Sequence, residues 1–174
     1  MKRIAAVALS LALVVAGCDN GTGGVAAAPT EPDSHSAGYY CGMSLAEHAG
    51  PKGQLLLKGA VARFWFTSVR DALTYVGQDL VSEGEIDGFW VNDMGMGTWE
   101  RPAAGSWIAA DGALYVIGSN KTATMGGLEI VPFKERAKAE AFIHEFGGRI
   151  IDYAAVREEV VAAQTGAEND GALR

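Results

Sequence analysis

Two stretches of this chain repeat one pattern, and a chain built that way has few folds open to it. Arg63 to Gly77 runs from an aromatic strand ending at Phe66, across the polar cap Thr67-Ser68, into Val69, Ala72, Leu73 and Val76 at helical spacing. Glu129 to Gly147 repeats the order, with a strand ending at Phe133 and then a helix over Lys134–Phe146. That helix carries Ala139, Phe142, Ile143 and Phe146 on one face. Ser68 suits the cap of the first helix, with Asp71 three residues on, and Gly77 and Gly147-Gly148 supply the stops. Ahead of the first helix, Gln54 to Thr67 is rich in β-formers and broken at Gly59, which reads as two strands and a turn. The repeat predicts two ββα units packed as one small α+β domain.

The connecting segments carry shorter signals. Residues 82–105 are loop-rich around a strand candidate at Phe89-Trp90-Val91. Trp107–Ala110 and Ala113–Ile117 flank Asp111-Gly112, the dipeptide favoured in type I′ turns, and so predict a hairpin. Gly127 to Phe133 reads as a strand, with Pro132 placing it at an edge or a strand end. A last strand at Arg149–Asp152 and a helix over Tyr153–Ala163 complete the domain, taken as 38–163, before a tail at 164–174 expected to be disordered.

The start of the chain bears on where it works. Met1-Lys2-Arg3, an apolar run from Ile4 to Val15 and small residues before Cys18 have the layout of a secretory signal peptide over residues 1–17. The run is shorter than the roughly 20 apolar residues a membrane span needs. Val15-Ala16-Gly17-Cys18 resembles a bacterial lipobox, in which Cys18 becomes the lipidated first residue of the mature protein. Asp19 behind it resembles an inner-membrane retention signal, and an outer-membrane location stays open. Removing residues 1–17 takes Lys2 and Arg3 from the 14 basic residues, leaving 12 against 21 acidic, a net charge of −9. Such a surface argues against nucleic acid as a partner and against a polybasic hold on lipid. Residues 18–37, rich in Gly, Ala, Pro and Ser, read as a flexible tether.

With Cys18 committed to lipid, Cys41 is left without an intrachain partner, because the chain has only two cysteines. Met43 lies two residues on, across Gly42. In extended backbone residues i and i+2 point to the same side, so a thiolate and a thioether can converge on one soft ion. Ser44 to Glu47 fits a capping box, and a helical turn beginning there would help hold a Cys41 thiolate. Met94 and Met96 repeat the i, i+2 spacing in a Gly-rich loop, either as a second soft contact or tucked beneath that loop. His48 is a further ligand candidate. His35 reads as solvated tether and His144 as helix surface. Met125 precedes Gly126-Gly127, which permits close approach to another loop, and Glu129 is either a supporting acceptor or an exposed strand residue.

Zinc favours several Cys or His, and no CxxC or HxxxH is present; calcium wants an oxygen cluster, and there is no EF-hand loop. One thiolate with thioethers suits Cu(I). No nucleophile elbow, P-loop or dinucleotide fingerprint occurs, so enzyme signatures are thin, and the unpaired thiol beside Met43 in an exported domain motivates the reading of a carrier, not an enzyme. Two rivals stay open: a thiol-dependent oxidoreductase using Cys41, and a metal-free scaffolding lipoprotein.

Beyond these residues, the chain resembles the NosL family of nitrous oxide reductase accessory lipoproteins. The likeness rests on Cys41-Gly42-Met43, Gly50-Pro51-Lys52-Gly53-Gln54, Tyr115–Ser119, Met125–Phe133 and Phe146–Ile151, and covers about residues 38–153. It implies a periplasmic, membrane-anchored Cu(I) metallochaperone that helps assemble the copper centres of nitrous oxide reductase with that enzyme's membrane-bound assembly complex. It implies Cys41, Met43 and Met125 as copper contacts, and a scaffold related to organomercurial lyase. The lyase chemistry itself is not implied, since it needs a pair of cysteines.

Overall fold

A computed structural model describes residues 27–78, 81–123 and 126–171. The signal segment 1–17, Cys18 and Met125 lie outside the described residues.

Both repeats fold as strand, strand, helix, and each is enlarged by strands that follow. In the first, β1 (Gly53–Leu57) runs antiparallel to β2 (Phe64–Phe66), and the chain turns into α1 (Val69–Gly77). β3 (Ile86–Asn92) pairs with the other edge of β1, and β4 (Trp107–Ala109) covers β3, giving the order β2-β1-β3-β4. In the second, β5 (Leu114–Ile117) lies between β6 (Val131–Phe133) and β7 (Arg149–Ile151), with α2 (Arg136–Phe146) between β6 and β7 in sequence. α3 (Tyr153–Gly171) closes the chain. The architecture is the expected small α+β domain.

Local chemistry explains where the elements begin and end. Ser68 Oγ accepts the Asp71 N–H at 3.0 Å, capping α1 as its sequence suggests. Gly59 turns at φ +75° between β1 and β2, and Gly147 ends α2 at φ +74°. One core joins Leu55, Phe66, Val69, Leu73, Val76 and Val91 to Val156 and Val160 of α3. A second joins Val116, Val131, Phe133 and Ala139. β5 belongs to both: Tyr115 packs into the first core and its neighbour Val116 into the second, as strand alternation requires. Full burial of a side chain such as Leu55 or Leu73 is worth roughly 2 kcal/mol.

Four expectations are corrected. Asp111-Gly112 does not make a hairpin, because Ala110–Gly112 forms a 3-10 turn that carries the chain from one sheet to the other. Gly112 is absent from the positive-φ glycines, whereas a type I′ turn needs positive φ at both central residues. β4 finds its partner in β3, β5 finds its partners in β6 and β7, and the buried Tyr115 hydroxyl donates to Ala110 O at 2.6 Å to fix the crossing. The strand expected from Gly127 is shorter, with only Val131–Phe133 paired to β5. The last helix does not stop at Ala163 but runs to Gly171, through part of the expected disordered tail. Finally, the later part of the expected tether is strapped to the domain. Thr30 pairs through both backbone groups with the buried Gln54 amide, Glu31 accepts the Gly105 N–H, and Arg63 donates to Ala28 O. Gln54, fully buried in the central strand, has to satisfy its amide there.

Candidate metal centre

Cys41 sits in a loop that backbone bonds close on themselves. Ala37 and Ser44 form a bridge, Gly38 donates to Met43 O at 2.9 Å, and Gly42 donates to Gly38 O at 2.8 Å. Tyr39 donates to Trp65 O at 2.7 Å, which stitches the loop to β2. The expected extended backbone at Cys41–Met43 is therefore replaced by a turn, and Gly42 takes φ +67°, a conformation that favours glycine. The reason is the antiparallel bridge between Ala37 and Ser44, which makes the segment between them reverse within a few residues.

Cys41 is half-buried, with Sγ 3.8 Å from Thr67 Oγ1, a weak sulfur–hydroxyl contact. Gly38 makes that placement possible: a Cβ there would stand 2.8 Å from Sγ and 2.7 Å from Thr67 Cγ2. Met43 is 39 % exposed, and Tyr39 and Tyr40 are about half exposed. Tyr39 packs edge-on to Phe64 and Tyr75, so its ring anchors the loop while part of it stays in solvent. The 3-10 turn at Leu45–Glu47 begins where expected, with Ser44 Oγ accepting the Ala46 N–H.

Thr67 is also the residue before the α1 cap, and a second loop packs on the same corner. Glu129 N–H donates to Lys121 O, Thr122 bridges Leu128, and Ala123 N–H donates to Gly127 O, which closes a narrow loop whose described flanks adjoin Met125 in sequence. Arg70 Nη2 donates to Leu128 O. Glu129, 1 % exposed, accepts the Arg70 N–H at 3.3 Å and its neighbour Ile130 N–H at 2.8 Å. Of the two readings of Glu129, the exposed one is excluded. Burial pushes its carboxyl up to about 7, and the two backbone donors and the Arg70 charge moderate that rise. The corner Thr67–Arg70 thus receives the Cys41 loop at one end and the Lys121–Glu129 loop at the other.

The remaining candidates divide. Met94, like Trp99, Phe142 and Ile143, packs partly buried against the second core, and its N–H donates to Pro132 O. Met96 is exposed. His48 is 5 % exposed, and its Nδ1 lies 2.9 Å from Ser44 O. A carbonyl only accepts, so Nδ1 carries a proton, and among the described residues the buried Nε2 has no hydrogen-bond partner. His48 lines a cavity of about 320 Å³ together with Lys52, Arg101, Trp107 and the strap; neither Cys41 nor Met43 lines it. His144 is exposed, as expected. Among the described residues no three His, Cys, Asp or Glu side chains converge as a metal cluster. Thr67, Gly38 and Arg70 were not legible as site residues; only the cap signal at Ser68 marks that corner.

Comparisons with known proteins identify the family. The family model for NosL matches residues 29–161. A copper-binding lipoprotein NosL from Achromobacter cycloclastes is 40 % identical over 145 residues, covering 80 % of this chain and 74 % of that protein. A copper-binding lipoprotein NosL from Stutzerimonas stutzeri is 30 % identical over 138 residues, covering 77 % and 70 %. The crystal structure of the copper chaperone NosL from Shewanella denitrificans superposes with a TM-score of 0.67 at 31 % identity, covering 73 % of this chain and 93 % of that one. Matched over most of its length by the family and by full-domain relatives, the chain belongs to the NosL family.

Proposed function

We propose that this chain is a Cu(I) metallochaperone, lipid-anchored through Cys18 on the periplasmic side of a bacterial membrane, that carries copper for assembly of nitrous oxide reductase. Cys41 is the anionic anchor for the ion, and Met43 and Met125 are exchangeable thioether contacts. The observation that carries the reading is the half-buried, unpaired Cys41 thiol held in a closed loop beside the exposed Met43. A loop already folded around its thiol loses little entropy on binding, and the exposed Met43 thioether lets the ion leave by ligand exchange. The relatives named as copper-binding lipoproteins and as a copper chaperone support the cargo. A carrier role rather than catalysis is supported by the partner of Cys41 Sγ: the Thr67 hydroxyl, which is no general base at neutral pH.

Competition with a Cu(I) chelator tests the reading on the full chain. Cys41→Ser is expected to lose about a hundredfold or more in affinity, at least the upper end of what loss of a supporting residue costs at a metal site. Equal affinity in the two proteins would contradict it. Turnover of a peroxide or disulfide by the wild type, abolished in Cys41→Ser, would favour the oxidoreductase reading instead.

A further inference from the structure

The Cys41 thiol and the Thr67 hydroxyl are each other's only side-chain hydrogen-bond partners among the described residues. Thr67 is 2 % exposed, so its hydroxyl is withdrawn from bulk solvent, and a buried hydroxyl left unpaired is destabilising. While Cys41 carries its proton, either atom can donate to the other. A cysteine that ligates a metal does so as the thiolate, which only accepts. In that form the direction is fixed: the Thr67 hydroxyl donates and the sulfur accepts. A hydrogen bond to a charged acceptor is also stronger than one between neutral groups.

Backbone donors in the two adjacent turns are engaged elsewhere. In the 3-10 turn that the sequence suggested would hold the thiolate, Leu45 N–H donates to Ser36 O, Ala46 N–H to Ser44 Oγ and Glu47 N–H to Ser44 O. In the first turn of α1, Glu129 takes the Arg70 N–H and Ser68 Oγ takes the Asp71 N–H. Thr67 is held from both sides, since Phe66 before it is paired in β2 and Ser68 after it caps α1. Its branched Cβ restricts χ1, so the hydroxyl stands on a stiff side chain. Gly38 leaves room for the pair: a Cβ on it would run into both Cys41 Sγ and Thr67 Cγ2. We propose that Thr67 is a positioning residue of the copper site, whose hydroxyl donates to the Cys41 thiolate and holds the sulfur in the orientation that binds Cu(I). The inference rests on the reading of Cys41 as the copper anchor, and its test separates the two.

Chelator competition on the full chain reads the effect as Cu(I) affinity. Thr67→Val, which keeps the branched shape and removes the hydroxyl, is expected to weaken binding about tenfold, the lower end of the cost of removing a residue that orients a ligand. Thr67→Ser, which keeps a hydroxyl, is expected to stay within about threefold of wild type, less than that cost. The ultraviolet thiolate-to-Cu(I) absorption is expected to move to longer wavelength in Thr67→Val and to stay in place in Thr67→Ser, because a donor on sulfur lowers the energy of its lone pairs. Thr67→Ala is expected to bind as Thr67→Val does and serves if the latter fails to fold. In a Cys41→Ser background, Thr67→Val is expected to cost nothing further. A threonine that only packs against Gly38 would alter the melting temperature and leave affinity and absorption alone. Full affinity in folded Thr67→Val or Thr67→Ala, or equal losses in Thr67→Val and Thr67→Ser, overturns the inference while Cys41 stands as the anchor. Wild-type affinity in Cys41→Ser overturns the copper reading and, with it, the role assigned to Thr67.

Discussion

The two loops that meet the Thr67–Arg70 corner are held by different means. The Cys41 loop is closed by its own backbone and stitched to β2, and its side chains stand partly in solvent. The Lys121–Glu129 loop is closed at its neck and fixed to α1 through one buried carboxyl and one guanidinium. The first is set by local geometry and can form as soon as β2 is in place. The second depends on contact between the two units. A Cu(I) site that drew on both would therefore be complete only in the fully packed domain.

The comparison breaks most sharply at Gly38. Gly38→Ala drives a methyl against Cys41 Sγ and Thr67 Cγ2, and is expected to destabilise the fold by about 2 kcal/mol, in the range of overpacked sites, and to weaken Cu(I) binding. Thr67→Ser in the same chain should recover only part of the loss, because the clash with sulfur remains. Urea denaturation and chelator competition on the single and double variants check both statements.

Glu129 sharpens the other side. Burial raises its carboxyl from 4.5 to about 7, so the folded chain holds that proton more tightly than the unfolded one. The stability this supplies is fully present below about pH 4.5 and is lost as pH rises through 7. Gln does not titrate. Relative to wild type, Glu129→Gln should therefore gain stability between pH 5 and pH 8, by roughly 2 kcal/mol. The charged groups around the carboxyl are Arg70, Asp71 and Lys52. Burial holds Lys52 down at about 8, so its own slope falls above this window. Urea midpoints of both proteins at pH 5 and pH 8 decide the point, and a constant difference would contradict it.

The smallest effect is expected at Met94. Because it packs against the second core, Met94→Leu should change stability by less than about 1.5 kcal/mol and leave Cu(I) affinity within error of wild type. A clear loss of affinity would return Met94 to the ligand set.

Much of the fold was legible because its signals are local. Ser68 caps the helix that its spacing from Asp71 suggested, and the apolar residues of α1 and α2 lie on the faces their periodicity predicted. Asp111-Gly112 misled for the same reason: a dipeptide reports that the chain turns and says nothing about which strands then pair. The tether misled because low apolar content hides specific polar bonds, and only the buried Gln54 amide shows why Thr30 is held. At the site, sulfur chemistry could be read from Cys41-Gly42-Met43. The corner that brings the loops together could not, since Thr67, Arg70 and Glu129 gain their roles from contacts across 26 and 59 positions of sequence.

X-ray absorption at the copper edge of the Cu(I)-loaded full chain tests the joint site most directly. The account predicts a first shell dominated by sulfur in wild type, with one sulfur fewer in Met125→Ala and a further loss in Met43→Ala. A shell unchanged by Met125→Ala, or one containing imidazole nitrogen that disappears in His48→Ala, would contradict it.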